Sequence, residues 1–557
     1  MTSPSASASS DQLGGTQLIR TGGIVAGKAE TIVDGAKTFR ATEANTGERL
    51  EDVFTEATVD QIERSAAAAA DAFEAILQWT LSQRSERLAD LLSGIAEAMR
   101  VRRAEIESCC RAETGYLPQR VAGEFDRAVG QLDLFSRLAR QRVWDQRQSD
   151  PADPDRPGRP KPSMVRRQVP VGPVAVFGAC NFPLAISVAG NDTVAALAVG
   201  CPVIVKSHPG HPGTAQRIGQ CIAAALRDSP LPPGMFSLLH GCQPETSRRL
   251  VQHPLIRAVG FTGSPQGGRA LAETALARPQ PIPLFAELGS TNPVFLACGA
   301  VDSRGETIAS QFAASLTFGN GQMCTKPGIV AMLDRQADRW IGHVQAALRG
   351  HRPLPLLNRT VADGFDAGVQ RLEATSGVTR LPTPHDAIAP QQEPAPQGTA
   401  VRQDRSEPVQ TGDAFGPLHR GVHWFSVDAE LALQSELLHL ETFGPLSLLV
   451  RCADTDTMLR LARQFTGSLT TTLHADEADS PFQAAWLATA QRFAGRVILN
   501  GWPTGMEIGA ATQHGGPYPA SLDGRSTSVG YASLQRFLRP VCFQNFVPAD
   551  WYDPPGT

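Results

Sequence analysis

Residues 169–264 alternate short apolar, β-branched runs with helical patterns, and this constrains the fold more than any other feature of the 557-residue chain. VGPVAVFGA, CPVIVKS, FSLLHG and IRAVGFTGS read as strands, whereas DTVAALAVG and GTAQRIGQCIAAALRD read as helices. Apolar strands without polar alternation are buried on both faces, and strands separated by helices pair in parallel through right-handed crossovers. The prediction is an α/β domain around a parallel sheet. Ligands of such sheets bind beyond the carboxyl ends of the strands. Asn181, Lys206, Gly263 and Ser264, which close these runs, are therefore candidate site residues.

A second α/β pattern extends from about Glu287 to Asn500, interrupted by a Pro/Gln-rich surface insertion at 382–412. The length corresponds to roughly three to four structural units. Before the first sheet lie long alanine-rich helical patterns. One starts behind Thr58 as its cap, one runs over 85–115 and stops at Gly115, and a third ends near Arg140. The Pro- and Arg-rich stretch 150–162 is too poor in apolar residues to join a core. The polar first 22 residues read as a disordered tail without the order of a secretory signal.

Composition is that of a globular protein, 42% hydrophobic and 19% charged with a formal net charge of −4. That balance carries no electrostatic footprint for nucleic acid or an anionic membrane. No apolar run reaches the ~18 residues of a membrane span. Ten cysteines without a C-x-x-C pair are neither a disulfide framework nor a metal or redox motif, so reduced thiols, a cytoplasmic location and no metal are expected. Cys324 stands apart, framed by glycines and a proline in FGNGQMCTKPG. Alone, that frame fits a buried packing thiol as well as a nucleophile.

Six short words occur in order: ACNFP with Asn181, VIVKSHP with Lys206, FTGS with Gly263 and Ser264, FAELGSTNP with Glu287, GQMCTKPG with Cys324, and LETFGP with Glu441. Together they resemble the aldehyde dehydrogenase superfamily, from about Gly27 to Pro548. HGGPYPASLDGRSTSVG and RFLRPVCFQNF look like its branch of α-ketoglutarate semialdehyde (2,5-dioxopentanoate) dehydrogenases, which also holds NADP-dependent fatty aldehyde dehydrogenases. The resemblance implies two Rossmann-like parallel-sheet domains and a small antiparallel oligomerisation element. Residues 23–141 and 170–286 would bind NAD(P), 287–515 would be catalytic, and 142–169 with 530–550 would join subunits into a homodimer or homotetramer.

The resemblance also implies roles. Cys324 attacks the aldehyde to give a thiohemiacetal, because an aldehyde carbon alone is a poor hydride donor. The Asn181 amide and the Cys324 backbone N–H hold the oxyanion. Glu287 activates the water that hydrolyses the thioester. Cofactor contacts fall on Lys206, Ser207, His208, Gly263, Ser264, Leu288, Glu441 and Phe443. Many NAD-using members carry a glutamate three residues after the lysine, where it repels a 2′-phosphate; here the position is Pro209. NADP is therefore the expected preference over NAD.

Arg120, Glu124 and Arg127 share one helix face by their i, i+4, i+7 spacing. Arg120 or Arg127, on the helix that lines the substrate entrance in relatives, is a candidate for the carboxylate of 2,5-dioxopentanoate, and Arg525 is another. The same residues also fit a solvated, salt-bridged face. A medium- or long-chain aldehyde substrate remains an alternative. Glu287 argues against transfer of the thioester to a thiol such as CoA, and the retained cysteine and base argue against a non-enzymatic role.

Overall fold

A computed structural model describes residues 18–32, 35–384 and 416–546. Its architecture is mixed α/β, with two seven-stranded sheets. The first runs in the order Leu284–Glu287, Ala258–Thr262, Val174–Phe177, Val203–Lys206, Phe236–Leu239, Gly23–Val25, Lys28–Glu30. Its first five strands are parallel, and the last two form an antiparallel hairpin on the edge. Numbered along the chain, the parallel strands stand 3-2-1-4-5, so the order reverses between Val174–Phe177 and Ala258–Thr262. That reversal opens the crevice where doubly wound sheets take their ligands.

Both faces of this sheet are covered, which explains the unbroken apolar strands. Val174, Val176, Val203 and Val205 pack into one core, with the helices Leu81–Val101, Pro118–Gln141 and Asn191–Val199. Their neighbours Ala175, Phe177 and Ile204 point the other way, into a core shared with the helix Val59–Leu77. The short helix Asn191–Val199 is buried along its whole length.

The second sheet runs Val378–Leu381, His423–Asp428, Leu446–Cys452, Ile329–Leu333, Val294–Leu296, Ser468–His474, Ala494–Leu499, all parallel except the first. A smaller antiparallel sheet joins Gln148–Asp150, Met164–Pro170 and Leu538–Gln544, from Leu538 opposite Pro170 to Gln544 opposite Met164. The C-terminal strand, whose partner was not legible in sequence, thus returns to the stretch that enters the first sheet.

Helix boundaries follow local chemistry. Thr58 and Gln61 form a capping box at the start of Val59–Leu77, an arrangement worth about 0.5–2 kcal/mol. Gly115 closes its helix at φ 66°. The single helix expected over 85–115 is two, Leu81–Val101 and Arg103–Thr114. They break at Arg102, whose guanidinium turns to Glu105 and to Gln220 and the Arg217 carbonyl on the helix Pro212–Arg227. The N-terminal tail is also shorter than expected at its described end, since Arg20–Thr21 pair in parallel with Val53 and Phe54. Residues 1–17 of that tail, 385–412 of the Pro/Gln-rich insertion and 547–550 of the C-terminal element lie outside the described residues.

Candidate active site

The loop carrying Cys324 is built by its glycines. Behind the helix Cys298–Thr317, the turn Phe318–Gly321 holds Gly319, Asn320 and Gly321 at φ 58°, 53° and 67°. Gly321 is required twice over, since a Cβ there would also stand 2.4 Å from the Gly444 carbonyl carbon. Gln322 then ties the loop down. Its Oε1 accepts the Leu357 N–H at 2.8 Å, and its carbonyl accepts Asn181 Nδ2 at 2.9 Å. One amide proton of Asn181 thus positions the loop, and the –NH₂ keeps a second one. From the other side Asn292, held at φ 46°, donates through Nδ2 to the carbonyls of Cys324 (2.8 Å) and Lys326 (3.0 Å).

Glu287 ends the first-sheet strand Leu284–Glu287 and is 2% exposed. The strand's free edge is zipped to a returning segment: Leu288 N–H donates to the Ala520 carbonyl at 2.8 Å, and Leu522 N–H to Ala286 at 3.1 Å. That segment delivers two further side chains. Ser528 Oγ donates to Glu287 Oε2. His514 places Nε2 3.4 Å from Glu287 Oε1 and 3.5 Å from Cys324 Sγ. Thr527 fixes His514 by accepting its backbone N–H at 2.8 Å.

Burial sets the protonation states. It pushes the Cys324 thiol well above its ordinary range, and the Glu287 charge adds to the rise while Arg127 opposes it. Burial pushes His514 down against the pull of Glu287, so the imidazole is neutral near pH 7. A protonated thiol faces a neutral imidazole and a carboxylate.

Cys324, Met323, Phe182, Arg120, Arg127 and His514 line one cavity of about 1010 Å³. The two helix arginines differ. Arg120 is committed: Nη1 donates to Glu124 at 2.6 Å and Nη2 to the Asn181 carbonyl at 3.3 Å, and Glu124 in turn accepts the backbone N–H groups of Leu184 and Ala185. It positions the Asn181 loop. Arg127 lies over the Phe182 ring at 5.4 Å and donates no hydrogen bond among the described residues, whereas Arg120 leaves only its Nε without a partner there. Arg525 corrects the expectation placed on it: its side chain is 95% exposed, pairs with Asp523 and lies outside the cavity lining. It follows a tight turn at Asp523 that aims it at solvent.

The expected cofactor residues gather at the carboxyl ends of the first sheet. Lys206 closes its strand, is 8% exposed and donates no hydrogen bond among the described residues. Burial lowers it to about 8. Ser207 is bonded to His240 Nδ1 at 2.8 Å, and His208 stacks on His211 at 5.3 Å. Gly263 N–H donates to the Glu287 carbonyl, and Ser264 caps the helix Pro265–Leu276 by accepting the Gly267 N–H at 3.2 Å. Leu288 packs beneath that helix, where a Cβ on Gly268 would meet it at 2.4 Å. Glu441 reaches across from the second sheet's side to Gly289, with half-buried Phe443 two residues on. Burial drives Glu441 up and its neighbour Lys326 down, while each charge holds the other ionised. A buried cation without a partner, a helix N-terminus and a carboxylate at the strand-order reversal suit a ligand with phosphates and ribose hydroxyls.

Sequence reasoning missed His514, Ser528, Asn292 and Lys326. All four lie in words already singled out; for Asn292 and Lys326, in STNP and CTKPG, the partners are carbonyls that only the folded chain presents. HGGPYPAS marked a branch, and nothing local in it placed His514 against a cysteine 190 positions away.

Residues 32–358 match the Aldehyde dehydrogenase family. The chain is 40% identical over 523 residues to alpha-ketoglutaric semialdehyde dehydrogenase 2 of Azospirillum brasilense, covering 93% of each chain. It is 39% identical over 495 residues, 88% of each, to alpha-ketoglutaric semialdehyde dehydrogenase of Acinetobacter baylyi. The structure of 1-pyrroline-5-carboxylate dehydrogenase from Thermus with bound NAD superimposes with a TM-score of 0.75 at 18% identity, over 95% of this chain and 93% of that one. By the match over more than half of its length and its identity to these relatives, the chain belongs to the aldehyde dehydrogenase family.

Proposed function

We propose that this enzyme oxidises α-ketoglutarate semialdehyde (2,5-dioxopentanoate) to 2-oxoglutarate, with NADP preferred over NAD. The observation that carries the substrate is Arg127, which donates no hydrogen bond among the described residues and lines the cavity that also exposes Cys324. A half-buried guanidinium with free donors gains from an anionic partner, and a substrate carboxylate would supply one. The relatives named for this substrate support the same reading.

Chemistry begins with the thiol proton. It passes from Cys324 Sγ to His514 Nε2, and Glu287 Oε1 stabilises the imidazolium. The thiolate adds to the aldehyde carbon, and the remaining N–H of Asn181 with the Cys324 backbone N–H receives the oxyanion. When bound, the oxidised nicotinamide supplies the hydride acceptor. Lys206, Ser207, His208, Ser264 and the backbone around Gly263 would hold its adenosine and phosphate end; Leu288, Glu441 and Phe443 would hold its nicotinamide end. Glu287, oriented by Ser528, then takes a proton from the water that cleaves the thioester.

Pro209 leaves no carboxylate beside Lys206 on its own loop. Glu56, which acts on Lys206 from another segment, is already bonded to the N–H groups of Cys242 and Gln243. Both features favour a 2′-phosphate. The strand Leu538–Gln544 is paired on one side only among the described residues, which suits assembly into a homodimer or homotetramer. Ten free cysteines suit a reducing, cytoplasmic setting, and no described helix is long and apolar enough to cross a membrane.

The test is kcat/KM for 2,5-dioxopentanoate against hexanal and decanal with each cofactor. Preference for decanal would overturn the substrate in favour of a fatty aldehyde, a reading that the apolar walls at Phe182, Ile186 and Met323 would then explain.

A further inference from the structure

Cys324, His514 and Glu287 each offer one ligand atom, and the three atoms lie within 4.8 Å of one another. The individual separations are informative. Tetrahedral Zn²⁺ with Zn–S of about 2.3 Å and Zn–N and Zn–O of about 2.0–2.1 Å sets ligand edges of about 3.5 Å for S···N and about 3.4 Å for N···O. The observed separations are 3.5 Å for Cys324 Sγ to His514 Nε2 and 3.4 Å for His514 Nε2 to Glu287 Oε1. Glu287 Oε1 is buried with no hydrogen-bond partner among the described residues, because Ser528 holds only Oε2. Sulfur, imidazole nitrogen and one carboxylate oxygen form a donor set that selects Zn²⁺ over oxygen-seeking cations.

We propose that these three side chains form a reversible inhibitory site for Zn²⁺, with the fourth tetrahedral position open toward the aldehyde cavity. The thiol proton is released to solvent as the Zn–S bond forms, the carboxylate supplies the second negative charge, and the site becomes electrically neutral around the metal. His514 ligates through Nε2 and carries its proton on Nδ1. Nδ1 has no acceptor among the described residues, and metal-bound histidines are normally held by one. Arg127 and Arg496 also direct positive charge at the cluster. Both features make the bound metal exchangeable, in contrast to a closed structural zinc. The consequence is inhibition, since the ion consumes both the nucleophile and its proton acceptor. Metal capture itself depends only on the three ligands, whereas that consequence rests on reading Cys324 as the nucleophile.

The experiment separates these two levels. The full-length, metal-free protein is titrated with Co²⁺, which reports thiolate ligation through a charge-transfer band, and Zn²⁺ is then used to displace it. Wild type is expected to bind one ion more per chain than Cys324→Ser and to show a band that this variant lacks. His514→Phe is expected to bind at least about tenfold more weakly, the loss that even an outer-sphere change produces. On wild type alone, Zn²⁺ but not Mg²⁺ should slow alkylation of Cys324 by iodoacetamide, and EDTA should restore it, so the proposal does not depend on the variants folding. Unchanged Co²⁺ affinity and band in His514→Phe, or alkylation indifferent to Zn²⁺, would overturn it. Metal binding in a protein whose metal-free form oxidises no aldehyde would leave the site standing and remove the functional reading.

Discussion

His514 Nε2 stands 3.5 Å from Cys324 Sγ although 190 positions separate them in the chain. On the proposed mechanism the contact gives Cys324 a proton acceptor other than Glu287, and Glu287 is within 3.4 Å of the same nitrogen. Replacing His514 by phenylalanine should lower kcat/KM at pH 7 by roughly 10²- to 10⁴-fold, the usual range for a positioned proton acceptor. Because burial raises the Cys324 thiol, the variant should regain activity as pH rises and solvent takes the proton. In wild type, Cys324 alkylation should increase with pH through a range above the ~8.5 of an ordinary thiol. A variant with the wild-type pH profile would show that His514 is only packed there.

Arg127 and Arg120 lie on one helix face and should separate on substitution. Arg127→Met is expected to reduce kcat/KM for 2,5-dioxopentanoate by roughly tenfold to a hundredfold, corresponding to about 1.5–3 kcal/mol for hydrogen bonds to a charged group. It should spare hexanal. Arg120→Met should impair both aldehydes, because Arg120 holds Glu124 and the Asn181 carbonyl. Steady-state kinetics on the two substrates decide the point, and equal losses in both variants would remove the distinction.

Cofactor choice is tested at Pro209. Restoring a carboxylate by Pro209→Glu should weaken NADP binding about tenfold or more relative to NAD through like-charge repulsion. Fluorescence titration of the protein with each reduced cofactor reads this without turnover. A wild-type enzyme that already prefers NAD strongly would contradict the proposed role of the missing glutamate.

Asn292 is placed as the clamp on the nucleophile loop. Asn292→Ala removes the donor to Cys324 and Lys326 and leaves both carbonyls short of a partner. The expected cost is about 2–3 kcal/mol in urea unfolding, with a fall in kcat as Cys324 loses its position. Stability within about 0.5 kcal/mol of wild type would show that the loop is held by Gln322 and Asn181 alone.

Local physics was legible in the sequence wherever it needed no remote partner. The cap at Thr58, the stop at Gly115 and the buried parallel strands follow from residue type and spacing, because their causes lie within a few residues. The break at Arg102 did not follow, since its guanidinium is drawn to a helix more than a hundred positions on.

The site divides along the same line. Cys324, Glu287 and Asn181 were named as candidates from the words around them, while the left-handed turn at Gly319–Gly321 was not read from FGNGQ. Which arginine keeps its donors free among the described residues and which carbonyls Asn292 clamps were decided by the fold, and His514 and Ser528 came to flank Glu287 when the segment after residue 511 zipped onto the strand edge at Ala286–Leu288. A side chain's type is local, but its protonation, its partner and its freedom to bind belong to the neighbours that folding brings within a few ångströms.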